Sequence, residues 1–188
     1  GSANTIDTSD TRLLNAVYRN GSVWTTHTVA VSGKTEVAWY RIDPASGTVE
    51  SQGRINDSAR WYFYPSIAVN QDNVAAVGFS GSSTTEFAGG YYTVVRPSSG
   101  TAETVGVLKA GLAPYYKTLG GTDNRWGDFS ATVVDPTDDI SFWTLQEYAQ
   151  PPVSGVSQWG TWWGKFTPVA VQPPPPPPPS SGGGGGGG

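Results

Sequence analysis

Leu14-Asn15-Ala16-Val17-Tyr18-Arg19-Asn20-Gly21-Ser22-Val23-Trp24 holds a short alternating apolar run, an Asn-Gly pair and the start of a second apolar run. Asn-Gly tolerates the positive φ that a tight hairpin needs, so the stretch predicts two antiparallel strands joined by a two-residue turn. The same plan returns at Ser66-Ile67-Ala68-Val69-Asn70-Gln71-Asp72-Asn73-Val74-Ala75-Ala76. It returns again at Ser130-Ala131-Thr132-Val133-Val134-Asp135-Pro136-Thr137-Asp138-Asp139-Ile140-Ser141-Phe142-Trp143.

Each copy is followed by an aromatic strand: Trp39-Tyr40-Arg41-Ile42, Tyr91-Tyr92-Thr93-Val94 and Thr161-Trp162-Trp163-Gly164-Lys165-Phe166. In the first two copies a Pro-x-Ser-Gly-Thr turn comes next, at Pro44 to Thr48 and Pro97 to Thr101, and then a fourth strand. Helical periodicity is nearly absent, and two-residue alternation dominates. The expectation is an all-β chain of propeller-like repeats, about three blades, each a short four-stranded antiparallel sheet. Residues 1–11 read as an N-terminal extension, 12–168 as the β domain and 169–188 as a Pro/Gly-rich tail.

Asn20-Gly21-Ser22-Val23-Trp24 and Asp139-Ile140-Ser141-Phe142-Trp143 both place Asn or Asp four residues before Trp. This resembles a degraded Asp-box hairpin of sialidase-like (BNR-repeat) propellers; Ala76 stands where the second copy would carry Trp. The region from Asn124-Arg125-Trp126-Gly127-Asp128-Phe129 through Trp159-Gly160-Thr161-Trp162-Trp163 looks like the closing blades of secreted bacterial propeller proteins of uncharacterised function. The resemblance covers residues 12 to 167 and implies a fold rather than an activity.

Propellers have about four to eight blades, so three leave two open faces with unpaired strand edges. The chain is then the last part of a larger propeller, or its open faces are covered by neighbouring copies, or the strands form a sandwich instead. The first two require a protein partner: copies of the chain itself or the rest of a larger propeller chain.

Composition narrows the function classes. Only 14% of the 188 residues are charged, against about 25% in ordinary globular chains. Net charge is -4, and no basic stripe favours nucleic acid. No apolar run is long enough to span a membrane. Cys is absent, which removes disulfides and thiolate metal sites. Met is absent too, and the chain begins Gly1-Ser2, so it is a processed form or a piece of something longer. The Gly/Ser/Thr/Trp-rich character suggests a secreted, extracellular or cell-surface protein.

No catalytic constellation stands out. His27, the only histidine, has no nucleophile motif beside it and reads as structural. Arg125 and Asp128 flank Trp126-Gly127 as a candidate substrate-facing pair, or as turn and junction residues. Asp135, Asp138 and Asp139 crowd one turn, where oxygens could hold Ca²⁺; Asp is also a turn residue that bonds its own backbone. No other cofactor is expected.

Trp61, Tyr62, Tyr64, Tyr115, Tyr116, Trp159 and Trp162 exceed what alternation alone would bury. They are candidates for an interface or a sugar platform. Asn20 and Asn56 open N-x-Ser sequons, and Ser180 and Ser181 follow the proline run, giving candidate glycosylation sites. The run from Pro173 through Pro176 to Pro179 is a polyproline ligand of the kind aromatic grooves bind. The expected function is a structural subunit of an extracellular fibre or surface assembly; the alternative is a carbohydrate-binding or glycosidase-type module of a larger secreted protein.

Overall fold

The computed structural model describes residues 4–127 and 130–169. Strands fill this stretch and no helix occurs among the described residues. The first sheet runs in the order β1 (Asn15–Arg19), β2 (Ser22–Val31), β3 (Lys34–Ile42), β4 (Val49–Ile55). The second runs β5 (Arg60–Val69), β6 (Ala75–Ser83), β7 (Gly89–Arg96), β8 (Thr101–Ala102), with β9 (Gly106–Lys109) also paired to β7. The third is β10 (Ala131–Val134), β11 (Phe142–Val153), β12 (Val156–Phe166). All pairings are antiparallel.

Each expected repeat is thus one sheet, but only the first has four strands. In the second, the fourth position is shared by two short strands: β8 pairs with Val95 and Arg96 of β7, and β9 with Gly90 to Tyr92. In the third it is empty among the described residues. The hairpins turn where the sequence predicts. Asn20 and Gly21 sit at φ 49° and 82°, and Ser154 and Gly155 at 50° and 77°, the positive values that match a right-twisted hairpin.

The second sheet lies in the middle. On one side Trp24, Val37, Trp39 and Ile55 of the first sheet pack on Tyr62, Ile67, Val69, Val77, Phe79, Tyr91 and Val95. This is the main core, and Trp24 and Trp39 are its largest wholly buried members. On the other side the third sheet packs through Phe142 against Ala68 and Ala76. The rest of that second contact is polar. Ser66 Oγ lies 2.7 Å from Thr132 Oγ1, which lies 3.0 Å from Thr144 Oγ1, and Gln146 Nε2 donates to Thr144 Oγ1 at 3.0 Å.

The turns between the first two strands of each sheet meet. Asn20 Nδ2 donates to Asn70 O, Gln71 O and Asn73 Oδ1. Asn70 Nδ2 donates to Ile140 O at 2.9 Å, and Gln71 N to Asp139 O at 3.2 Å. Arg19 and Asp139 close the ring as an ion pair. Asn15 adds a second tie near the same strands: its side-chain amide exchanges hydrogen bonds with both Ile67 N and Ile67 O.

The N-terminal segment is part of the packed body rather than an appendage. Asp7 N donates to Asn124 O, and Asn124 Nδ2 returns bonds to Thr5 O and Tyr115 O. Ile6 packs on a small cluster built from Phe63, Ala88, Tyr115, Trp126 and Ala149.

Candidate functional site

Strand register reveals where the three sheets correspond. Trp24 pairs with Arg41, and Thr26, two residues on, with Trp39. Ala76 pairs with Val94, and Gly78 with Tyr92. Trp143 pairs with Lys165, and Leu145 with Trp163. Trp39, Tyr92 and Trp163 therefore hold one position in the repeat.

Their surroundings differ. Trp39 is 0% exposed, covered by the second sheet. Tyr92 packs against Phe166 of the third sheet in a tilted contact, with centroids 4.4 Å apart. Trp163 is 64% exposed. In the first two sheets this face is covered by the sheet that follows; in the third it carries Trp143, Leu145, Trp163, Val133 and Trp159 with no following sheet among the described residues. Trp143 and Trp163 meet at 5.3 Å between ring centroids, so the apolar surface is contiguous. The edge is open as well. β3 pairs with β4, and β7 with β8 and β9, whereas β12, their counterpart, pairs only with β11 among the described residues.

The charges at this face are internally matched. Lys165 Nζ lies 2.5 Å from Asp135 Oδ2 and 3.5 Å from Asp138 Oδ2, and 5.7 Å from the Trp143 ring centroid. Asp135 also accepts from Thr137 N, Thr137 Oγ1 and Trp143 Nε1. The Lys165 ammonium, then these donors, hold its carboxyl well below the usual range. Asp138 accepts from Ile140 N and Ser141 N, which pulls its pKa to about 2. Asp139 faces Arg19. The three carboxylates expected as a Ca²⁺ cluster are thus engaged with protein donors, Asp135 and Asp138 sharing Lys165 and Asp139 taking Arg19. Among the described residues no group of three or more acidic or histidine side chains converges on one point.

The remaining candidates fall apart in space. Tyr62 is 1% exposed and belongs to the main core, so it offers no ring face to a sugar or partner. Tyr115 is buried against Trp126 in an edge-on contact at 4.8 Å. Tyr64 is half-buried at φ 51° in the β5 bulge, its hydroxyl donating to Asp7 O. Tyr116 is exposed. Trp61 is half-buried, with Lys34 Nζ 5.1 Å from its ring centroid. Trp162 lies on the opposite face of β12 from Trp163, with Lys109 Nζ 4.2 Å from its ring centroid. Trp159 is 37% exposed.

Of the sequons, Asn56 is exposed between β4 and β5. Asn20 is committed: glycosylation of its Nδ2 would disrupt the turn junction that this atom bonds. Pro173, Pro176, Ser180, Ser181 and Asp128 lie outside the described residues. His27 sits between Thr11 O and the Tyr40 hydroxyl, and Arg125 is exposed. Glu147, buried, accepts from Gly127 N at 3.0 Å.

The sequence placed Trp163 within the candidate aromatic run Trp159 to Trp163 without singling it out, and Trp143 was missed as a site residue. Aligning the aromatic strands of the repeats would have found Trp163, since its two counterparts are both interface positions. No family model matches the chain, and no curated protein or solved structure matches it either.

Proposed function

We propose that this chain is a structural subunit of an extracellular assembly, in which a β-sheet of another copy covers the outer face of the third sheet. The exposure of Trp163, at a position covered in both other sheets, carries the reading. An exposed, contiguous aromatic patch beside an unpaired strand edge favours association. The sheets then act as propeller-like blades whose array is completed between subunits. The proline run offers a further ligand for aromatic surface, and the composition suits a secreted protein.

The magnitude is adequate. Covering an exposed Trp contributes about 2–3 kcal/mol at roughly 25 cal/mol per Å², the size of an interface hot spot. Sedimentation velocity of the 188-residue chain over a wide concentration range tests this. Concentration-dependent oligomers are expected, and Trp163→Lys should weaken association at least roughly thirtyfold. A monomer at every concentration, or oligomers indifferent to Trp163→Lys, would overturn the proposal.

A further inference from the structure

A cleft of about 210 Å³ opens at the far side of the second sheet from the turn ring. Three segments build it: residues 4–8, the β6–β7 hairpin with β5 beside it, and residues 114–115. Its aromatic lining comes from Trp61, Phe63, Phe87 and Tyr115. The hydroxyl-bearing residues Thr5, Thr8, Ser82, Ser83 and Thr84 also line it.

Charge is nearly absent. Glu86 is the single ionisable carboxylate of the lining, and Arg60 holds it through both oxygens, at 2.6 and 2.7 Å. That pair consumes the carboxylate, so the cleft has no free charge with which to select a cation or an anion. The volume is below the roughly 300–1,000 Å³ of pockets for drug-sized ligands, which suits one or two small rings.

The walls are fixed before any ligand arrives. Asn124 ties Thr5 to Tyr115 through one side-chain amide, and Tyr64 Oη donates to Asp7 O at 3.3 Å. Ser83 N donates to Glu86 O at 3.1 Å, which closes the hairpin loop. A preformed site avoids part of the ordering cost of binding.

Aromatic faces beside uncharged hydroxyls suit a ligand that presents C–H faces and hydroxyls together. We infer that the cleft lined by Trp61, Phe87 and Tyr115 binds a neutral saccharide. The Trp61 and Phe87 rings take the apolar faces of the sugar, over a floor that includes the buried Tyr115, and the Ser and Thr hydroxyls exchange hydrogen bonds with its hydroxyls. The site is remote from the open face of the third sheet and stands whether or not the subunits assemble there.

The test titrates the full chain with cellobiose, maltose, lactose and N,N′-diacetylchitobiose, followed by amide chemical shifts and Trp fluorescence. At least one should bind saturably with a Kd on the order of millimolar, shifting amides of residues 82–88. Trp61→Ala should weaken it at least roughly fivefold, and Ser82→Ala, which leaves the aromatic packing intact, should weaken it measurably. Trp163→Thr should leave it unchanged. No saturable binding by any of the four sugars overturns the inference. So does binding that survives both cleft substitutions. A peptide of residues 171–181 that binds here when the sugars do not would make the cleft a proline-ligand site, and the saccharide assignment falls.

Discussion

Gly78→Ala tests the packing of the third sheet on the second. A Cβ at this position would lie 2.2 Å from Thr144 Oγ1, 2.4 Å from Gln146 Nε2 and 2.7 Å from Thr132 Oγ1. All three atoms belong to one buried hydrogen-bond network, so none can retreat alone. Forcing a methyl into a packed interface costs about 1–3 kcal/mol. Breaking two of the bonds among Ser66, Thr132, Thr144 and Gln146 adds about 1 kcal/mol each. The sum is about 3–5 kcal/mol, a large share of the roughly 5–15 kcal/mol that holds an average domain together. For a chain of this size it lowers Tm by roughly 6–20 °C. Differential scanning calorimetry and urea melts of Gly78→Ala measure it, with Gly121→Ala as control. Gly121 has only Thr118 O at 3.4 Å from the added Cβ, so its change should stay within about 0.5 kcal/mol. Pairing Gly78→Ala with Thr144→Ala frees the nearest atom, and the double variant should lose less than the sum of the singles. If Gly78→Ala melts within about 1 kcal/mol of the parent, the third sheet does not press on Gly78 and the packing argument is wrong.

Two further outcomes follow from the turn regions. Asp138, with its folded pKa near 2 against 3.8 for an unperturbed carboxyl, binds its proton at lower pH in the folded state than in the unfolded one. Its stabilisation is complete above about pH 4 and is lost as pH falls toward 2, and Asp135, held lower still by Lys165, extends the loss. Tm should be flat from pH 8 to 5 and decline below 4, and Lys165→Met should lower the neutral-pH Tm and make that decline shallower, because Asp135 then has less stabilisation to lose on protonation; an unchanged acid limb would refute the Lys165 contribution. Asn20→Gly should cost about 1 kcal/mol for the lost side-chain bonds, and Asn20→Ala about 1–2 kcal/mol more, because Ala pays for the positive φ. Equal melting of the two variants would show that the backbone conformation is not what Asn20 supplies.

Much of the architecture was legible because turn chemistry and alternation agree. Asn20-Gly21 opens a hairpin as its dipeptide predicts, and the repeat boundaries coincide with sheet boundaries. Within the aromatic run Trp61-Tyr62-Phe63-Tyr64, Tyr62 fails as a platform candidate for a physical reason. A strand of a middle sheet buries both faces, so Tyr62 enters the main core while Phe63 enters the cluster around Trp126. Seen alone, such a strand looks over-supplied with aromatics. The cleft was only half legible: Trp61 and Tyr115 stood out, but Phe87 and the residues 4–8 that wall it are brought there by Asn124, which no local pattern announces.

The contrast between the two sheet contacts bears on the proposed assembly. The first contact is apolar and built on Trp24 and Trp39; the second is polar around Gly78, with Gln146 wholly buried and its Oε1 unpaired. A buried polar network gives less attraction than an apolar one but penalises wrong register, because any slip strands its donors and acceptors. The outer face carrying Trp143 and Trp163 resembles the first contact in chemistry, so in the proposed assembly it would supply attraction without comparable geometric selectivity. Selectivity there must come from elsewhere. The β12 edge is positioned to supply it, since backbone pairing fixes register to within one residue. A partner that uses both the face and the edge would therefore be held in one register, whereas one that uses the face alone would slide. Thr161→Pro separates the two: it blocks edge pairing while leaving the Trp163 face in place. Retained association with broadened, heterogeneous oligomers would show that the edge sets register; unchanged, homogeneous oligomers would show that the face suffices.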